Sequence, residues 1–309
     1  MAITDGRTEP CTGAGGAEPA VAVAGPLTRV PSPALVVAAI ASVQLGGALA
    51  VHLFASVGPG GAVLLRLAFA SLVLAAVSRP RRAGLDRRRL ALSATFGAVL
   101  VGMNLCFYMS IHRIPLGIAV SLEFIGPLVV AVAGSRRRID LAWVALAIAG
   151  ILALTHGGGR IGGLGVAFAL AAGALWGCYI LVSARIGRAF ATGAGLSVAM
   201  CFAAVLALPA GLSAGGAHLL RPGTLALGAT IGVLSSAIPY SFELEALRRI
   251  QPAVFGVLMS LEPAVAALMG LIVLGQGLSA RAVAGIALVM AASGGASRRA
   301  RSPQGPADV

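Results

Sequence analysis

Apolar runs of about twenty residues recur along this 309-residue chain from residue 33 almost to its end, separated by short breaks built from Arg, Gly and Pro. A helix crossing a bilayer needs ~20 predominantly apolar residues. The spacing predicts ten such spans, at 33–55, 60–78, 90–110, 116–134, 141–155, 164–184, 194–214, 223–243, 253–275 and 281–296. Alternation of polar and apolar residues over roughly ten positions, the pattern of a transmembrane β-barrel strand, is not seen. Residues 1–30, rich in Gly, Ala, Thr and Pro, lack the apolar core of a signal peptide and read as a disordered cytoplasmic tail. Residues 297–309 read as a second, polar cytoplasmic tail. The predicted fold class is all-α, a polytopic membrane protein with ten transmembrane helices.

Composition agrees: 58% of residues are hydrophobic and 11% charged, and a mean hydropathy of +0.96 excludes a soluble domain of this size. The net charge of +13 by itself suggests a nucleic-acid partner, but the positions of the basic residues point elsewhere. All 23 are arginine, and with a cytoplasmic amino terminus eighteen fall on the cytoplasmic side of the ten-span scheme. Four, Arg113, Arg160, Arg221 and Arg281, fall on the far side, and Arg66 lies within the second span. That split follows the positive-inside rule, so both termini are expected in the cytoplasm and no nucleic acid is expected as a partner. Cys11, Cys106, Cys178 and Cys201 form no CxxC pair, and His52, His112, His156 and His218 have no ligand spacing, so neither a metal nor a disulfide framework is expected.

The chain also repeats itself. Gly97 and Phe107 lead through Arg113 to Ser121-Leu122-Glu123 and Pro127, while Gly232 and Phe242 lead through Arg248 to Ser260-Leu261-Glu262 and Pro263, at a spacing of about 135 to 139 residues. Two halves, 31–155 and 156–296, would each hold five spans, and an odd number inserts the second half upside down. Two inverted five-helix repeats are a transporter architecture, with the substrate path between the halves near the midplane.

Glu123 and Glu262 are the leading candidates for chemistry, because an ionisable side chain at bilayer depth costs roughly 2.5 to 3.5 kcal/mol on insertion scales and normally faces a bundle interior or a wet cavity. They are expected to bind a substrate ammonium or to titrate with a coupling proton; a purely structural role in interhelical hydrogen bonding is the alternative. Pro127 cannot donate to the carbonyl of Glu123, nor Pro239 to that of Ser235, and carbonyls freed in this way meet water, a neighbouring helix or a ligand. Arg66 could bind a carboxylate or pair with a membrane glutamate, or snorkel to the interface. Gln44, Asn104, Phe107, Tyr108, Trp176, Tyr179, Ser235, Ser236, Tyr240 and Ser241 form a polar and aromatic set suited to a small-solute pocket or to interfacial anchoring. Trp176 and Tyr179, three residues apart, share a helix face. Glu243 and Glu245 precede Arg248 and Arg249, which predicts ion pairs on a solvated face.

Five segments, ASVQLGGALAVHLF (41–54), LLRLAF (64–69), GMNLCFYMSIHRIPLGIAVSLEFIGPLVVAV (102–132), AIPYSFELEALRRI (237–250) and GVLMSLEPAVAALMGLIVLG (256–275), resemble the threonine and homoserine exporters of the Rht type, in the EamA branch of the drug/metabolite transporter superfamily. The resemblance implies two EamA repeats, over 31–155 and 156–296, in a carrier of the bacterial plasma (inner) membrane. Such a carrier would export small amino acids by alternating access, as a proton-coupled antiporter. It places Glu123 and Glu262 in the family's two most recognisable motifs. Gln276 departs from the pattern, since the second repeat commonly ends in Leu-Gly-Glu. No Walker loop, nucleophile with a base, or cofactor motif is present, so the expectation is a carrier and not an enzyme. Its partners would be an amino acid, the proton and the lipid bilayer, and a homo-oligomer is compatible with the pattern. Export of other metabolites or cationic drugs is the second reading, and a non-transporting scaffold the third.

Overall fold

The computed structural model describes residues 30–78, 86–133, 140–155, 162–190 and 194–299. The expected amino-terminal tail lies almost wholly outside these residues, as does most of the carboxyl-terminal one. Among the described residues all regular structure is helical. The helices are α1 (Ser32–Ser78), α2 (Arg87–Ile111), α3 (Leu116–Glu123), α4 (Ile125–Ala133), α5 (Asp140–Thr155), α6 (Gly163–Ala189) and α7 (Ala194–Gly215). A 3-10 turn (Gly216–Leu220) leads to α8 (Pro222–Gly232), and a π-helical turn (Val233–Ala237) joins α8 to α9 (Ile238–Leu247). The chain ends with α10 (Pro252–Met259), α11 (Glu262–Leu274) and α12 (Ala280–Arg299).

Among the described residues seven helical stretches are long and apolar enough to cross a membrane, where the hydropathy pattern predicts ten. The difference has two sources. The first two expected spans run together in α1, whose 47 residues would reach about 70 Å if straight, more than twice the ~30 Å hydrocarbon core. They are divided at Gly58, which takes φ 64° and ψ 172°, a conformation costly for any residue with a Cβ, and the following Pro59 has no N–H to carry the helix on. The fourth and fifth expected spans appear as the shorter apolar stretches Leu116–Val130 and Leu141–Thr155.

Polarity is distributed the reverse of a soluble domain. Gln44, Asn104, Glu123 and Glu262 are buried, while Leu72, Leu141, Leu220 and Ile272 each stand more than 60% exposed. Where the outer solvent is hydrocarbon, that arrangement costs nothing on the outside and concentrates hydrogen bonding on the inside. Small residues let the helices meet. A Cβ on Gly117 would come within 2.7 Å of the Ala267 backbone of α11, and one on Gly126 of α4 would collide with the Gly173 carbonyl of α6. Serines tie neighbouring helices, with Ser110 Oγ donating to the Gly165 carbonyl at 2.9 Å and Ser197 Oγ to that of Leu74 at 3.2 Å. The long α1 packs against α7, α8, α9 and α11, and α2 against α6 and α7, so helices of the two halves interleave around one centre.

The glycine contact of α4 with α6 yields a test. Gly173→Leu should lower the thermal unfolding midpoint of the detergent-solubilised protein by an amount corresponding to ~1–3 kcal/mol, the usual cost of overpacking. Gly223→Leu, where a Cβ meets nothing within 4 Å, should leave it near the wild-type value.

Candidate functional site

Of the residues expected to form a site, Gln44, Arg66, Asn104, Glu123, Trp176, Tyr179 and Glu262 line one cavity of about 210 Å³. They come from α1, α2, α3, α6 and α11, hence from both halves of the chain. Phe107, Ser235, Ser236, Pro239 and Glu243 complete much of the remaining wall. The volume lies below the roughly 300 to 1,000 Å³ of pockets for drug-sized ligands, so the cavity suits a small solute.

Each Ser-Leu-Glu triplet coincides with a break in its helix. Glu123 is the last residue of α3, with Phe124 standing between it and α4; Glu262 is the first residue of α11, after Ser260 and Leu261. Proline is the local cause in both. Pro127 offers no N–H to the Glu123 carbonyl, and Pro263 sits in the first turn of α11, where a missing N–H is tolerated. The backbone at Phe124 (φ −60°, ψ −14°) and Leu261 (φ −76°, ψ −13°) stays close to helical, so each break re-aims the glutamate without reversing the chain. Close packing of Gly173 against the Glu123 carbonyl sets α6, and with it Trp176 and Tyr179, beside the first break. Phe124 meets Trp176 edge-on at 5.0 Å and Tyr179 stacks on Phe96 at 5.0 Å, which orients both pocket aromatics.

Glu262 has a defined partner, since Gln44 Nε2 donates to its Oε1 at 2.8 Å. Its other oxygen, Oε2, is buried with no hydrogen-bond partner among the described residues. Glu123 lies within electrostatic reach of both Glu262 and Arg66. Arg66 Nη1 donates to Tyr108 Oη at 3.4 Å, and the guanidinium carbon lies 5.7 Å from that ring's centre. Asn104 Nδ2 is turned back on its own helix, donating to the Leu100 carbonyl at 2.8 Å.

Two of the expected pocket residues do not appear in the cavity wall. Tyr108 was expected to shape the pocket; it is fully buried behind Arg66 and holds that residue from the rear. The side chain of Tyr240 lies outside the described residues. Ahead of Pro239 the chain widens into the π turn, and the Leu234 carbonyl there accepts from Ser42 Oγ at 2.7 Å. Gly46 leaves space there, because a Cβ would collide with Ser235 Oγ, a buried hydroxyl without a partner among the described residues. Gln276, the departure from the usual acid, accepts the Leu116 N–H through Oε1 at 2.9 Å and so satisfies an orphan donor at the start of α3.

Glu243 is the functional-site candidate that sequence reasoning missed. Glu245 does pair with Arg249 and, at 3.3 Å, with Arg248, but Glu243 turns into the cavity. Positions two apart on a helix diverge by about 200°. Only Glu245, three and four residues ahead of the arginines, has the spacing of a helical ion pair. That spacing was the available signal.

Residues 163–297 match the EamA-like transporter family. The chain is 41% identical over 264 residues to the threonine/homoserine exporter RhtA of Salmonella typhimurium (strain LT2), covering 84% of this chain and 89% of that protein. It is 40% identical over 270 residues to the threonine/homoserine exporter RhtA of Escherichia coli (strain K12), covering 86% and 91%. A solved crystal structure aligns with a TM-score of 0.58 over 86% of this chain and 97% of that one; at 16% identity the likeness is one of fold alone.

The Gln44–Glu262 bond links the first helix to the second half. Gln44→Leu should cost ~1–3 kcal/mol of stability, the penalty for leaving a buried acceptor unmet, read as a lower thermal midpoint in detergent. Adding Glu262→Gln to Gln44→Leu should cost less than it does in the wild-type background, as a double-mutant cycle would show.

Proposed function

The chain belongs to the EamA-like transporter family, together with the threonine/homoserine exporters it resembles over most of its length, and from that premise we propose that it exports small amino acids of the threonine and homoserine kind. The observation that carries the reading is the single small cavity in which Glu123 and Glu262 stand with Arg66. A zwitterionic amino acid needs an anion for its ammonium and a cation for its carboxylate, and an arginine fork suits a carboxylate. Trp176 and Tyr179 offer an amphipathic wall for the side chain, and Gln44 and Asn104 polar edges beside it.

In this reading the ten apolar segments form two inverted five-helix repeats, 31–155 and 156–296, in the bacterial plasma membrane, with both termini cytoplasmic. The arginine distribution supports the orientation. The recurrence of a broken helix at each Ser-Leu-Glu triplet supports the repeat, because discontinuous helices at equivalent places in two halves are where inverted-repeat carriers build their sites. Transport proceeds by alternating access, the halves rocking about the cavity, with a proton moving against the substrate. No step requires a cofactor.

Reconstituted in proteoliposomes, the full chain should show counterflow of labelled threonine and homoserine and none of a cationic dye. Glu123→Gln or Glu262→Gln should cut the flux by roughly ten- to a hundred-fold at unchanged membrane insertion, since a hydrogen bond to a charged group is worth about 1.5 to 3 kcal/mol and about 1.4 kcal/mol is a factor of ten. Normal flux through both variants would overturn the assignment.

A further inference from the structure

Glu243 makes the cavity more acidic than a zwitterion requires. Three carboxylates, Glu123, Glu243 and Glu262, share it with one guanidinium, Arg66. Glu123 lies within electrostatic reach of both Glu262 and Arg66, the latter held by Tyr108, and Glu262 lies within reach of Glu243 as well. The only hydrogen bond given to this second pair among the described residues is the neutral one from Gln44 to Glu262 Oε1, and Glu262 Oε2 is buried without a partner. Next to Glu243 in the chain, the other charged groups, Glu245 on α9 and Arg248 and Arg249 just beyond it, pair with one another and are absent from the cavity wall.

The same sequence spacing that relates Phe107 to Phe242 relates Tyr108 to Glu243. One half therefore presents a phenol already engaged by arginine where the other presents a carboxylate. Among the described residues neither Glu243 nor Glu262 has an ion pair, although Arg66 lines the same cavity, and two buried acids are costly when both are ionised. A proton, or a cationic group of the substrate, relieves that cost.

We propose that Glu243 and Glu262 form one acidic pair that holds either a proton or the substrate ammonium, never both, and that this exclusion couples export to proton entry. The inference rests on reading the cavity as an amino acid export site. The exchange is balanced: an arriving ammonium displaces the proton to the side from which the substrate came, and an arriving proton displaces the ammonium to the opposite side. The pair carries a net charge of minus one in both loaded states. The empty pair is the state that cannot easily reorient, which is what prevents proton leak.

The test uses the full chain in proteoliposomes with labelled threonine, measuring counterflow across a pH series and accumulation driven by a pH gradient. Wild type should show counterflow that acid weakens by raising the half-saturating threonine concentration at constant maximal rate, and should accumulate threonine under the gradient. Glu243→Gln should raise the half-saturating concentration, abolish its dependence on pH and lose gradient-driven accumulation. Glu245→Gln should behave as wild type. Glu243→Asp, which keeps a carboxylate, should retain accumulation with a displaced pH profile. Gradient-driven accumulation by Glu243→Gln, or a wild-type pH profile in either Glu243 variant, overturns the proposal while leaving the export reading intact. Absence of threonine and homoserine counterflow in wild type overturns the export reading itself and the inference with it.

Discussion

A carboxylate inside hydrocarbon has to meet a donor, a cation or water, and in this molecule that requirement organises the centre of the fold. Glu262 is answered by Gln44 across more than 200 positions of sequence, and Glu123 stands near Arg66. Both acids stand in the same place, where α1, α2, α3, α6 and α11 converge. The convergence is possible because the contact surfaces elsewhere carry almost no bulk: Gly117 lies on Ala267 and Gly126 on Gly173 at distances no Cβ would allow. With lipid as solvent, exclusion of apolar surface from water does not drive helices together, so close packing and internal hydrogen bonds have to do so.

The prolines beside the two triplets turn this convergence into a site. Each interrupts a helix next to its glutamate, but on opposite sides of it, since Pro127 follows Glu123 at the distance of one helical turn while Pro263 follows Glu262 directly. Glu123 therefore closes a helix and Glu262 opens one. An acid at a helix amino terminus is favoured by the backbone dipole and one at a carboxyl terminus is disfavoured. The two glutamates thus differ in electrostatic setting even though their local sequence is the same, and the further charges within reach, Arg66 for Glu123 and Glu243 for Glu262, widen that difference.

Helix type, membrane residence and most of the cavity wall were legible in the chain because each rests on a cost that does not depend on neighbours. Long apolar runs cannot remain in water, and isolated polar residues within them cannot face lipid, so Gln44, Arg66, Asn104, Glu123 and Glu262 had one direction to turn. Glu243 and Tyr108 were misread for a different reason. Both lie near other polar groups in sequence, and which neighbour each would face depends on helix rotation. The two acids of Phe-Glu-Leu-Glu point to different surroundings, one to the arginines of the next turn and one to the cavity.

The sequence by itself determined that this chain is helical, that it belongs in a bilayer and that its interior is acidic, because hydropathy and charge act residue by residue. Only the tertiary structure decided that the acids from distant segments share one cavity, that one arginine is backed by a tyrosine, and that a third glutamate joins the second and leaves its own arginines to Glu245. Those outcomes depend on rotation and breakage of helices, and both are set by packing between segments far apart in the chain, where no local pattern records them.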